Sequence, residues 1–478
     1  MELSKELVEQ VIRKVISEQA AQKNGACCEA AAQGTCCVSG EYGIFDDMDA
    51  AINAAEAAQK DYMHASLADR KKYVQAIRDV ILQKENLKHI ATLAVEETGM
   101  GDVGCKIVKN RAAAELTPGV EDLTTGALAG DDGLTTIEYS PYGVIGAITP
   151  TTNPTETIIC NSIGMLAAGN SVVFSPHPRA RQVTLDTIKM INEALEKEGA
   201  PKNLIVTVSQ PSIENTQKMM AHPKVRLLVC TGGPGIVKSV LQSGKKAIGA
   251  GPGNPPVVVD ETADIEQAAK DIVSGCAFDN NLPCIAEKEI IAVDSIAEYL
   301  LFQMKKNGAY QIDDPAMIQK LCELTVTPEG GPKTEFVGKS ASYILSRLGI
   351  DVGKEIRVIT METPVDHPFV QIEMMMPILP LVRVPDVDTA IAVAIEVEHG
   401  NRHSAMMHSK NIDKLTKMAK ECQTTIFVKN GPSYAGIGIG GEGHISFTIA
   451  GPTGEGITSA RSFARTRRCV LVKGLSVR

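Results

Sequence analysis

Residues 143–180 read GVIGAITPTTNPTETIICNSIGMLAAGNSVVFSPHPRA, and the changes of period inside this run decide the fold. GVIGAIT is a short β-rich stretch, Asn153-Pro154 marks a turn and a helix start, and SVVFS is a second β-rich stretch beyond the helix. LIVTV, VRLLVC and PVVVD continue the pattern downstream, separated by helical stretches such as residues 179–198, which Gly199 and Pro201 terminate. Such alternation implies an α/β fold with a parallel, doubly wound sheet.

Working outward from that run, Ser66-Leu67-Ala68-Asp69 places a serine cap three residues before its acidic partner. Tyr73, Val74, Ile77 and Ile81 then form an apolar helix face. Further upstream, residues 1–18 carry Leu3, Leu7, Val8, Val11, Ile12, Val15 and Ile16 at helical spacing. The following AAQKNGACCEAAAQGTCCVSG has no period and reads as a tether. Downstream, EKEIIAV, MMMPILPLVRV and TTIFVKN are strand candidates of a second α/β region. RTRRCVLVKGLSV at the end is a basic, then apolar, extended segment suited to strand pairing in an oligomer.

Composition narrows the function. The 478 residues hold 57 Asp plus Glu against 48 Lys plus Arg, which gives no basic field for nucleic acid or anionic lipid. No apolar run approaches the roughly 18–20 residues a bilayer requires, and no secretory signal opens the chain, so a cytosolic protein is expected. The 12 cysteines form no CxxC pair or disulfide framework. Aromatic residues make up 4% of the chain and Trp is absent, which favours small aliphatic substrates over bulky planar ones.

Three contexts carry chemistry. Asn153 in the opening run stands before Pro154, where an Asn often shapes a turn. Cys284, in FDNNLPCIAEKEIIA (residues 278–292), is a candidate nucleophile, because a free thiol with a pKa of about 8.5 is already partly thiolate at neutral pH. For Cys105, Cys160, Cys230, Cys276, Cys322, Cys422 and Cys469 the reading is a small buried hydrophobe. Glu373 precedes a proline-containing strand in IEMMMPILPLV, residues 372–382. In this order the contexts resemble the aldehyde dehydrogenase superfamily. The resemblance implies an oxyanion donor at Asn153, a nucleophile at Cys284 and a nicotinamide-ribose contact at Glu373.

The segment that holds the water-activating glutamate in hydrolytic members reads GAGPGNPPVVVD here (residues 249–260), with Gly249 in the glutamate's place. Water, with a pKa of about 15.7, needs a base to attack a thioester, whereas a thiol ionises far more easily. With TGGPGIVKSV and VEHGNRHSA, this pattern resembles the CoA-acylating branch, including acetaldehyde and propionaldehyde dehydrogenases of ethanolamine and propanediol utilisation. The implied reaction is reversible NAD-dependent conversion of a short-chain aldehyde to acyl-CoA through a Cys284 thioester. NAD and coenzyme A are the cofactor and co-substrate. His403 is the candidate base for the CoA thiol, with His399 or a purely structural role as alternatives. A dehydrogenase releasing free acid and a catalytically silent scaffold are the rival functions.

The resemblance also implies an atypical Rossmann-like NAD site at Thr149, Ser175, His177 and Pro178, with Thr231, Gly232 and Gly233 at a helix start. Ser175 stands where the family usually has lysine. The GxGxxG match at Gly436 to Gly441 opens no clear helix and is set aside as glycine-rich turn sequence. The implied domains are 41–131 with 142–256 for the cofactor, 257–459 for catalysis, and 132–141 with 460–478 as strands of a homo-oligomer, a dimer or tetramer. Residues 1–18 resemble encapsulation peptides, with a packing helix as the alternative. They imply binding to a shell protein inside a bacterial microcompartment, with residues 19–40 as linker. Cys27, Cys28, Cys36 and Cys37 match no defensible metal pattern and are read as redox-sensitive or incidental.

Overall fold

The computed structural model describes residues 40–475. The helix expected over residues 1–18, the tether and its four cysteines lie outside the described residues.

Two parallel sheets form the frame. The first runs in the order Ile44–Phe45, Ile205–Val208, Ser171–Ser175, Val144–Ile148, Val225–Thr231, Lys246–Ala250. After Val144–Ile148 the chain builds outward on one side and then returns to pair on the other. The junction of Val144–Ile148 with Val225–Thr231 is therefore a topological switch point, where a crevice opens beyond the carboxyl ends of the strands. The second sheet runs Ala309–Gln311, Val358–Glu362, Ile378–Val384, Glu289–Val293, Pro256–Val259, Ser404–His408, Ile426–Lys429. PVVVD thus belongs to this sheet and not to the first, because its strand pairs with Glu289–Val293 and Ser404–His408.

Both sheets read as unbroken apolar runs because helices cover both faces. All five residues of Val144–Ile148, Ser171–Ser175 and Glu289–Val293 are buried. Helix Pro154–Ala167 is buried along its whole length, with Ile158, Ile159, Ile163 and Leu166 fully enclosed. Each such side chain contributes about 1.5–3 kcal/mol by leaving water. The helix expected after Ser66 spans Leu67–Ile81, and Ser66 and Asp69 form the reciprocal capping box.

The C-terminal strand Ala464–Val472 pairs antiparallel with Gly133–Pro141, which also pairs with Gly126–Gly130 to make a small three-stranded sheet. Val470, Leu471 and Val472 are exposed on its outer strand. Among the described residues, no helix is long and apolar enough to cross a membrane.

Candidate active site

The carboxyl ends of the first sheet's central strands and a turn before the second sheet's strand Glu289–Val293 meet at one cavity of about 980 Å³. Thr149 and Asn153 follow Val144–Ile148. Ser175, His177 and Pro178 close Ser171–Ser175, and Thr231, Gly232 and Gly233 close Val225–Thr231. All of these line the cavity together with Cys284 and Glu373. Leu282, Ile372, Met375, Phe447 and Ile449 supply apolar wall, and no Lys or Arg is among the lining residues.

Asn153 begins helix Pro154–Ala167, yet its side chain makes no capping hydrogen bond. Its Oδ1 accepts a hydrogen bond from Lys109 Nζ at 2.6 Å. An ammonium has only donors, so this contact fixes which amide atom faces Lys109 and leaves Nδ2 as the group available to the cavity. The side chain therefore does not cap the helix it begins.

Cys284 is reached through Asp279, Asn280 and Asn281, whose φ values of 50°, 54° and 66° are all left-handed. Each such residue costs about 1 kcal/mol, least for Asn and Asp. Side-chain hydrogen bonds offset the cost. Asp279 Oδ1 accepts from the Asp102 N–H at 2.7 Å, Asn280 Nδ2 donates to the Gly338 carbonyl at 2.9 Å, and Asn281 Nδ2 donates to the Glu287 carbonyl at 2.9 Å. Lys288 Nζ completes the lock by donating to Asn281 Oδ1 at 2.5 Å. Cys284 thus stands on a turn held by polar contacts.

The Cys284 thiol is half-buried in the cavity wall. Burial, reinforced by the Glu373 carboxylate, pushes its pKa up to about 12 against the pull of Lys288 and Lys109. In this state the sulfur carries its proton. Burial likewise pushes Glu373 up to about 7, with Lys288 and the Gly253 N–H opposing it.

His403 lies beneath this wall and does not line the cavity; it is 1% exposed. Burial, with the Lys288 cation, holds it down at about 4, so it is a neutral imidazole at physiological pH. Its Nδ1 meets Ser404 Oγ at 2.8 Å, and its buried Nε2 has no hydrogen-bond partner. His399 is exposed and its Nε2 contacts the Gln371 carbonyl at 3.1 Å.

Gly253 joins these groups. A β-carbon there would stand 2.8 Å from His403 Cγ and 2.9 Å from the Cys284 carbonyl oxygen. Only a residue without a side chain lets the two approach this closely. Gly249, expected in the place of a water-activating base, faces elsewhere: its β-carbon would meet Val237 and Leu241 in helix Pro234–Leu241. Ala250, Gly251 and Pro252 line the cavity from this segment, and none is a base.

The residues present fit a dinucleotide. Gly233 caps helix Pro234–Leu241, and a β-carbon at Gly233 or Gly235 would meet nothing within 4 Å, which leaves room for a diphosphate at the helix N-terminus. Thr149 Oγ1 is buried without a hydrogen-bond partner. Ser175 Oγ instead contacts Thr216 Oγ1 at 2.8 Å.

Among the cysteines read as buried hydrophobes, Cys160, Cys230, Cys276 and Cys422 are buried. Cys105 and Cys322 are half-buried and Cys469 is exposed, because the outer strand carrying it is open to solvent on both faces. Nothing local in the sequence marks Lys106, Lys109, Glu156 or Asp279, which form a buried ion cluster beside Asn153. Lys109 Nζ lies 2.9 Å from Glu156 Oε1 and 2.5 Å from Asp279 Oδ2, and Lys106 Nζ lies 3.2 Å from Asp279 Oδ2.

Comparison with known proteins agrees with this geometry. The aldehyde dehydrogenase family model matches residues 18–317. A CoA-propanoylating propanal dehydrogenase from Citrobacter freundii is 50% identical over 475 residues, covering 98% of this chain and 99% of its own. The crystal structure of Rhodopseudomonas palustris propionaldehyde dehydrogenase, with bound CoA and an acylated cysteine, superposes with a TM-score of 0.91. It is 67% identical, over 91% of this chain and 100% of that one. A propionaldehyde dehydrogenase from the Clostridium phytofermentans fucose utilisation bacterial microcompartment superposes with a TM-score of 0.89 at 53% identity, over 91% and 100%. Fold, cavity and relatives lead to one statement: the chain belongs to the aldehyde dehydrogenase family.

Proposed function

We propose that this protein oxidises a short-chain aldehyde, propionaldehyde or acetaldehyde, to its CoA thioester in a reversible reaction, with Cys284 carrying the acyl group. The observation that carries the reading is the shared cavity: Asn153 and Cys284 open on it together, and residues 250–252 of its wall offer no base to water. Apolar lining from Leu282, Phe447 and Ile449 suits a small alkyl chain.

The Cys284 thiol releases its proton to water in the open cavity, and the thiolate adds to the aldehyde carbon as the C=O π pair moves onto oxygen. The Asn153 Nδ2–H and the Cys284 backbone N–H receive the negative charge on oxygen. Bound NAD supplies the acceptor for the hydride that leaves the same carbon. Thr149, Ser175, His177, Pro178, Thr231, Gly232 and Gly233, which line the cavity, would hold it, and Glu373 would contact its ribose. The CoA thiol then adds to the Cys284 thioester and Cys284 departs as the leaving thiolate. His403, neutral at pH 7 with a free Nε2, is the candidate acceptor of the CoA proton.

One observation favours a second outcome. Glu373, held near pKa 7 beside Cys284, can serve water as a base, which would release free acid. The deciding assay follows NADH, acyl-CoA and free acid from propionaldehyde and acetaldehyde, with and without CoA. Acyl-CoA formation that disappears in Cys284→Ala supports the proposal; acid release independent of CoA refutes it.

The microcompartment relative supports assigning residues 1–18 to shell docking. A fluorescent fusion of these residues that fails to enter compartments would remove that assignment. The exposed apolar edge of Ala464–Val472 supports strand-mediated dimers or tetramers, checked by light scattering on Val470→Lys.

A further inference from the structure

From the ion cluster behind the cavity wall, we infer that Lys109 is a positioning residue for the reaction. It fixes the Asn153 amide and ties that donor to the turn that carries Cys284. The inference rests on the reading of Asn153 as oxyanion donor.

Lys109 and Lys106 are both fully enclosed, and so are Glu156 and Asp279. Burying an ammonium costs several kcal/mol unless it is paired, and two ammoniums against two carboxylates make the cluster neutral. Lys109 is its centre. Besides Glu156 and Asp279, it reaches Asn153 Oδ1 at 2.6 Å and lies over the Phe447 ring at 5.6 Å. Asp279 is the first left-handed residue of the turn that ends at Cys284, and Lys106 Nζ also bonds the Thr152 carbonyl at 3.1 Å, next to Asn153. Donor and nucleophile come from different sheets, and this cluster bridges them.

Two consequences follow for chemistry. With Oδ1 held by a cation, the amide cannot rotate by half a turn and present a carbonyl to the developing oxyanion, which would repel it. A hydrogen bond to Oδ1 from a cation also polarises the amide, strengthening Nδ2–H as a donor in a site where water does not screen it. Thr152 Oγ1, at 3.3 Å from Nδ2, is the only other contact of that amide nitrogen among the described residues.

The test is a double-mutant cycle on the intact enzyme, with Asn153→Ala, Lys109→Met and the pair. Single-turnover NADH formation from propionaldehyde is read alongside the KM for NAD and the alkylation rate of Cys284 by iodoacetamide, which develops no oxyanion. Lys109→Met/Glu156→Gln is added so that the cluster stays neutral if the single variant folds poorly. Removing an oxyanion donor costs about 10²–10³-fold, so Asn153→Ala should fall in that range. Lys109→Met, or its charge-balanced form, should lose at least about tenfold in turnover in the Asn153 background and less than about twofold in the Asn153→Ala background. Alkylation and the KM for NAD should stay near wild type. Equal losses in both backgrounds would make Lys109 merely structural and overturn the inference. An Asn153→Ala variant of undiminished rate would instead overturn the oxyanion reading on which it rests.

Discussion

Replacing Gly253 by alanine adds one carbon where the structure has no room for it. That carbon would stand 2.8 Å from His403 Cγ, 3.1 Å from His403 Nδ1 and 2.9 Å from the Cys284 carbonyl oxygen. Ordinary contacts begin at about 3.5 Å, so each neighbour must retreat by roughly half an ångström or more. Neither does so freely: His403 is enclosed and bonded to Ser404, and the Cys284 carbonyl is backbone within a turn held by Asn281 and Lys288. Overpacking of this kind costs about 1–3 kcal/mol in stability, which a domain of this size survives. Displacement at the nucleophile is more serious, since about 1 Å of misplacement costs on the order of 10²-fold in rate. The expected result for Gly253→Ala is a folded protein with kcat lowered about 30- to 100-fold, measured by NADH formation with propionaldehyde and CoA. Gly130→Ala, where the new carbon meets nothing within 4 Å, should match wild type. A Gly253→Ala enzyme of full activity would refute the packing argument.

Further outcomes can be measured on the same protein. Because burial and Glu373 raise Cys284, its alkylation by iodoacetamide without ligands should be slow at pH 7 and still rising beyond pH 9; a plateau below pH 8 would contradict this. His403 and His408 are both held at about 4 by burial, below the roughly 6.5 of a free imidazole, so the unfolded chain takes up protons first as pH falls. Their contribution is full above pH 6.5 and is lost down to pH 4, about 3 kcal/mol for each, which denaturant midpoints across that range should show. Ser66→Ala removes one half of a capping box and should cost about 1 kcal/mol in the same measurement while leaving turnover unchanged.

Much of this architecture was legible in the residues because its signals are local. The period of residues 143–180, the Ser66–Asp69 cap and the glycines that end helices each depend on neighbours a few positions away. The convergence of Asn153, Cys284 and Glu373 on one cavity was legible only through family likeness, since no periodicity links residues so far apart. Lys109 and Asp279 escaped for the opposite reason. A lysine in an ordinary helix and an aspartate in a turn both read as solvated, and only the packing of one sheet against the other buries them together. Spacing within a strand does not reveal which face a missing side chain would occupy, so the Val237 and Leu241 neighbours of Gly249 could not be read from the sequence. The step from Gly249 to Gly253 changes the neighbour from helix residues to the nucleophile. The sequence offers His403 as a candidate base, but its seat beneath the wall depends on Gly253, which the sequence presents as one glycine among 41.

The cavity wall carries no lysine or arginine, and this governs how charged guests come and go. Helix-end amides and hydroxyls attract a diphosphate through short-range dipoles, which ions in solution weaken far less than they weaken a pair of full charges. An anionic cofactor leaving such a wall has no strong counter-charge to break. The grip is soft by construction, and turnover in concentrated salt should suffer little from loss of cofactor.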